Sequence, residues 1–261
     1  MVLPPGAVAP DSPNARFFEP VALALALLAL WEAASAAGLV SRFVLPAPSR
    51  IALTLATKFD LIWPEALVTL GEILGGFCAG VAAGIFVALA MAASPRLARA
   101  LGPLMVVAQA LPVFAIAPVL VVWLGFGLAP KLAMGGLIIF FPVASALFDG
   151  LSRTDPGLLD LARLNRAGPL ATLRLVRLPA ALPQLASGLR VAAAVAPLGA
   201  IVGEWVGASH GLGLMMLHAN ARMQGDMVFA CLAVLVALSL AFWLLAGFFA
   251  RWLAPWSSPT P

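Results

Sequence analysis

Charge is scarce in this chain. Asp, Glu, Lys and Arg together make up 10% of the 261 residues, against 63% apolar residues. A soluble globular domain carries roughly 25% charged residues, so that class is excluded, and a mean hydropathy of +1.06 places the chain in a membrane. Cysteine occurs only twice. Cys78 and Cys231 stand far apart inside apolar runs, which excludes a disulfide framework or a thiolate metal site, and both are expected as small buried hydrophobes. His210 and His218 have no cysteine near them and Glu204 as their closest acid, so no metal site is expected. No G-x-x-x-x-G-K-[ST] stretch occurs, so the chain has no phosphate cradle of the P-loop kind. Nor do the apolar runs contain H-E-x-x-H, paired acids or a Ser/His pair, which argues against an intramembrane enzyme.

What the chain does contain is a series of apolar runs. A bilayer core of about 30 Å asks for about 20 residues per helical span, and windows of about 19 residues give six candidates, at 20–39, 66–93, 103–127, 131–149, 187–206 and 227–250. These runs are apolar on every face, unlike the alternating ~10-residue segments of a transmembrane β-barrel. The expected fold is all-α: a polytopic membrane protein with six transmembrane helices in a single domain over 20–251 and a polar loop, 153–185, between spans four and five. Residues 1–19, with four prolines, are expected as a flexible tail, and 252–261 as a short second tail. Val21 to Ala36 has an h-region's apolarity, yet Asp11 and Glu19 precede it, so it is taken as a span and not as a signal peptide. Arg50 to Phe59 is read as an interfacial amphipathic stretch and Leu212 to Met223 as a short re-entrant or interfacial helix, with Asp226 capping the last span.

Six of the fifteen basic residues fall between Arg153 and Arg190. With that loop in the cytoplasm, an even span count puts both termini there too. Ten basic residues then lie inside and five outside (Arg42, Arg50, Lys58, Lys131 and Arg222), in line with the positive-inside rule. The basic residues thus report orientation in the lipid bilayer and not a nucleic-acid partner. Within the spans, Gly76, Gly80 and Gly84, with Gly71 and Gly75, form a small-residue face suited to close helix packing. Pro103, Pro112 and Pro118 are expected to kink the third span. Inside the loop, Asp155-Pro156 starts a helix running to about Asn165, whose Leu158, Leu161, Ala162 and Leu164 make an apolar face. Gly168-Pro169 opens a second helix that ends at Leu178-Pro179. Such a loop either packs on its own bundle or docks something soluble.

These residues resemble the membrane-spanning permease subunits of bacterial binding-protein-dependent ABC importers. The family's loop pattern is E-A-A, three residues, G, nine residues, I, any residue, L-P. Asp160-Leu161-Ala162 stands in the E-A-A place, Arg166 in the glycine place, Val176 in the isoleucine place, and Leu178-Pro179 matches. Arg166 is a departure, since the glycine makes the turn between the two helices; Asn165 and Gly168 leave room for the turn to shift. The resemblance continues in Phe43 to Ser49, Thr69 to Phe77, Ala115 to Gly127, Lys131, Phe140 to Pro142 and the Gly-Leu-Gly at 211–213, and is closest to the nitrate, sulfonate and taurine branch. Gln109 to Pro112 and Ala219 to Asp226 look most like permeases for thiamine-precursor pyrimidines or riboflavin.

The resemblance implies a bacterial inner-membrane assembly: a second permease copy, two ATPase subunits that bind ATP and Mg, and an extracytoplasmic solute-binding protein. This chain itself would hold no cofactor and catalyse nothing. Asp160, Ala162, Arg163, Asn165 and Arg166, with Val176, Leu178 and Pro179, would form the ATPase-docking loop. Gln109, Pro112 and Pro118 are pathway candidates, the amide of Gln109 being able to pair with a neutral heterocycle. Glu204 is a candidate for an outer gate or for binding-protein docking, or else is solvated at the interface; Glu32 and Glu72 carry less weight. The rival class, an ion-coupled secondary transporter, predicts symmetry between halves and ionisable groups deep in the spans, and the sequence shows neither.

Overall fold

Apolar runs fold into helices here because lipid leaves backbone amides no partner but each other. The computed structural model describes residues 15–38, 40–41, 43–110 and 112–256. Eleven helices occur among them: α1 (Ala15–Ala36), α2 (Pro48–Thr57), α3 (Phe59–Ala93), α4 (Pro95–Ala110), α5 (Val113–Leu124), α6 (Leu128–Ser152), α7 (Pro156–Leu164), α8 (Pro169–Thr172), α9 (Leu178–Gly207), α10 (Leu212–Ala221) and α11 (Gly225–Leu253). Four of the helical stretches are long and apolar enough to cross a membrane: α3, α6, α11, and the continuous stretch Pro169–Gly207 that ends in α9. The pair α4 and α5 makes a fifth if counted together, and the apolar part of α1 is shorter, at Ala22–Ala36.

Several boundaries differ from the sequence reading. Helix α1 begins at Ala15, inside the expected tail; residues 1–14 and 257–261 lie outside the described residues. Most of the expected interfacial stretch, from Arg50 to Thr57, lies in a short separate helix, α2, while Phe59 already begins α3; Ser49 in the first turn of α2 donates from Oγ (2.7 Å) and backbone N (3.0 Å) to Glu32 of α1. Helix α3 then starts seven residues before the expected span. The third span is not kinked but broken: α4 and α5 meet at 101°, with Pro112 in an extended conformation as the first flank of α5, where it cannot donate to a helical ladder.

The packing centre is a three-helix sandwich in which α6 lies between α3 and α9. Its spacing is set by glycine. A Cβ on Gly80 would lie 2.7 Å from both the Gly136 carbonyl oxygen and Ile139 Cβ, and one on Gly84 would lie 2.9 Å from the Phe140 oxygen. On the other side, a Cβ on Gly199 would lie 2.6 Å from Gly135 Cα. The face predicted from Gly76, Gly80 and Gly84 is therefore a backbone-to-backbone seam, as small residues allow in lipid. Gly71 has open space beside it and does not belong to the seam. Ile73, Ile139, Val143, Leu147, Leu185 and Phe242 fill the core around it. Phe77 of α3 meets Phe242 of α11 edge-on at 5.0 Å, and α1 reaches α11 through Trp31 and Phe229, 5.9 Å apart. Cys231 is buried as expected, whereas Cys78 is exposed.

Candidate functional site

The segment 153–177 sits at one end of the bundle. Asp155 accepts from Gly157 N at 2.7 Å and starts α7, as its capping position and the following proline require. The turn after α7 has not shifted: Arg166 itself takes the left-handed conformation, with φ 52°, while Asn165 (φ −80°) and Gly168 (φ −67°) do not. Arg166 N bonds to the Arg163 oxygen and Ala167 N to the Ala162 oxygen, both at 2.9 Å. This is the paired closure of a Schellman motif, which wants glycine at the left-handed position. Arg166→Gly should thus stabilise the protein by about 1 kcal/mol, read as a thermal midpoint raised by roughly 2–4 °C in detergent; an unchanged or lower midpoint would contradict the strain assigned to this turn.

The second helix does not stop at Leu178-Pro179. Residues Leu173–Arg177 form a π turn that joins α8 to α9 without a break, with Leu178 N reaching the Leu173 oxygen. Pro179 has no N–H for an ordinary helical bond, and the widened turn absorbs the defect. Arg177 ties this joint to the bundle, donating to the Leu151 oxygen at 3.1 and 2.9 Å. Leu178 packs on the core, and Val176 and Pro179 wall a cavity of about 490 Å³ together with Ala162 and Asn165. Ala162 is buried, so it braces α7 and does not present itself. Asp160 and Arg163 pair with each other at 2.6 Å on the exposed side, and Asn165 and Arg166 are also exposed. The predicted apolar face of α7 is largely uncovered: Leu161 is 56% and Leu164 80% exposed.

Gln109 of α4 lines a cavity of about 360 Å³ with Ser145 and Asp149, in the second half of α6, and Ser187 of α9. Pro142 borders it. Pro112 and Pro118 are exposed; Pro112 stands at the break before α5 and Pro118 inside that helix, and neither lines this cavity. The sequence reading selected Gln109 but missed Ser145, Asp149 and Ser187. The signal available was the placement of Ser145 and Asp149 four residues apart, on one helix face.

The opposite end of the bundle carries a buried polar network. Glu65, Thr69 and Glu72 recur at helical spacing on α3. Lys131, at the start of α6, lies 2.5 Å from Glu72 Oε1, with 6% and 2% of the two side chains exposed. Glu204 of α9 is fully buried: Thr69 Oγ1 donates to it at 2.6 Å, and so does the backbone N of Gly213. It is not solvated at the interface and presents no surface to a docking protein, which corrects those two readings of the residue. Thr69 accepts from Leu212 N at 2.9 Å, and Glu65 accepts from Gly211 N and contacts His210 Nδ1 at 3.1 Å. Together these clamp the start of α10, where Gly211 has φ 125°. Lys131 was assigned to an outer loop and Glu72 given little weight because span ends had been placed too close to them. Asp226 does not cap α11; it accepts from Thr54 of α2 at 3.2 Å.

Long apolar helices and an exposed two-helix segment at one end define a multi-pass membrane protein. A family model described as "binding-protein-dependent transport system inner membrane component" matches residues 80–258. A probable ABC transporter permease protein of Haemophilus influenzae is 46% identical over 238 residues, covering 89% of this chain and 97% of that protein. The riboflavin transport system permease protein of Chloroflexus aurantiacus is 33% identical, covering 92% and 90%, and the formylaminopyrimidine transport permease protein of Halalkalibacterium halodurans is 33% identical, covering 85% and 89%. Among solved structures, an amino acid ABC transporter with histidines matches at TM-score 0.61 and 19% identity, over 76% of this chain and 97% of that one. The inward-facing methionine transporter MetNI matches at TM-score 0.58 and 21% identity, over 74% and 94%. The chain belongs to the inner-membrane component family of binding-protein-dependent ABC transport systems.

Proposed function

We propose that this chain is the translocating subunit of an ATP-driven importer, working as two copies with two cytoplasmic ATPase subunits and an extracytoplasmic solute-binding protein. ATP and Mg belong to the ATPases. The observation that carries the reading is the uncovered leucine face of α7, beside the exposed Asp160, Arg163, Asn165 and Arg166. Outside the membrane, an apolar patch rimmed by charge marks a protein contact. Docking there lets closure of the ATPases push α7 as a rigid body. The continuous stretch from α8 through the π turn into α9 then carries the motion into the bundle.

In this reading α1 and the broken pair α4–α5 complete six spans, both termini face the cytoplasm, and the cavity around Gln109 belongs to the solute's path. The solute is small: a thiamine-precursor pyrimidine, riboflavin, or a nitrate-, sulfonate- or taurine-like compound delivered by the binding protein. Deleting 158–168 tests the docking role. Transport and co-purification with the ATPase should both be lost while the chain still inserts in the membrane; retention of the complex would refute the assignment.

A further inference from the structure

Arg190 was counted with the polar loop, but it stands well along the apolar stretch Pro169–Gly207 that is long enough to cross a membrane. It stands on α9 roughly 18 Å from Leu178 at about 1.5 Å per residue. Its neighbour Gly188 packs against Pro142 and Ala146, near the middle of α6, which runs Leu128–Ser152. Arg190 is exposed and has no hydrogen-bond or ion-pair partner among the described residues. Its surroundings on α9 form a stripe: Gln184, Ser187, Val191 and Ala194 are exposed as well, while the opposite face, from Leu185 to Ala200, is buried. Ser187 and Val191 line the cavity that also holds Gln109, Ser145 and Asp149.

An unpaired guanidinium at that depth is costly against lipid, and intramembrane charges face protein interiors or aqueous passages. Resting on the transport reading above, we infer that Arg190 is a specificity-determining residue of the solute path, selecting solutes that carry an oxyanion or a row of carbonyl oxygens. The planar fork of donors in arginine matches two coplanar acceptor oxygens. Gln109, Ser145 and Ser187 supply further donors and acceptors along the same surface. Asp149, nearer the end carrying α7, is the one carboxylate lining the cavity, and it opposes anions at that mouth while Arg190 favours them further in.

A charged reporter reads this field whichever solute is carried. In a background with Cys78→Ala and Cys231→Ala, Ser187→Cys is introduced and the chain is assembled with its ATPase in cytoplasmic-side-out membrane vesicles. The cysteine is labelled with anionic 2-sulfonatoethyl methanethiosulfonate and, separately, with cationic 2-(trimethylammonium)ethyl methanethiosulfonate. Val191→Cys serves as a second reporter, and co-purification with the ATPase confirms assembly of each variant. Arg190→Gln should lower the anionic-to-cationic rate ratio about tenfold, the lower end of the effect of a charged cleft on local ion concentration. Arg190→Lys should keep the ratio, and Asp149→Asn should raise it. A cysteine that labels with a ratio indifferent to Arg190→Gln overturns the role of Arg190 and leaves the path intact. Failure of both cysteines to label from the aqueous phase overturns the path itself, and the inference with it.

Discussion

Lys131→Ala is expected to deplete the folded protein from the membrane. The substitution strands Glu72 as a buried carboxylate, with one of its oxygens, Oε2, already without a partner among the described residues. Breaking a buried pair by removing one member costs about 3–5 kcal/mol, a large part of the 5–15 kcal/mol typical of a whole domain. The loss should also spread, because Lys131 Nζ lies 3.5 Å from the His210 oxygen. The start of α10 would then loosen as well. The check is membrane abundance and the denaturation midpoint in detergent, compared with the double replacement Lys131→Met, Glu72→Met. An apolar pair of similar volume removes both charges together and should recover most of the loss. If the double variant is as unstable as the single one, the ion pair is not the cause.

Gly80→Leu should be comparably damaging for a steric reason. The first added atom already meets the Gly136 oxygen and Ile139 Cβ at 2.7 Å, and neither backbone nor branched Cβ can turn aside. Helices α3 and α6 must separate, which opens the core around Ile73 and Val143. Overpacking of this kind costs about 1–3 kcal/mol, sometimes more. Gly71→Ala, on the same helix with open space beside it, should be neutral or stabilising by up to about 1 kcal/mol through helix propensity. Comparing the two separates the seam from a general intolerance of larger residues in α3; equal effects would remove the close-approach account.

Much of this was legible along the chain because it depends on local rules. Asp155-Pro156 announced a helix start, and the glycine spacing announced the α3 seam. Failures came where a residue's role depends on what lies opposite. Arg190, Lys131 and Glu72 were each assigned to loops or span ends, since hydropathy windows dilute single charges and push boundaries away from them. Likewise, nothing in Glu204 itself tells a solvated carboxylate from one closed in by Thr69 and Gly213.

The sequence by itself determined the helical membrane class, the seam and the polar segment with its two helices, because apolar length, residue size and capping chemistry act within a few residues. Only the tertiary structure decided that α4 and α5 part at 101° and that the turn after α7 runs through Arg166 itself. It also decided that Lys131 and Glu204 are buried while Arg190 stands uncovered in mid-bundle. Those outcomes turn on which helix faces meet, and a bilayer penalises an unpaired charge according to depth and neighbours that no stretch of chain encodes alone.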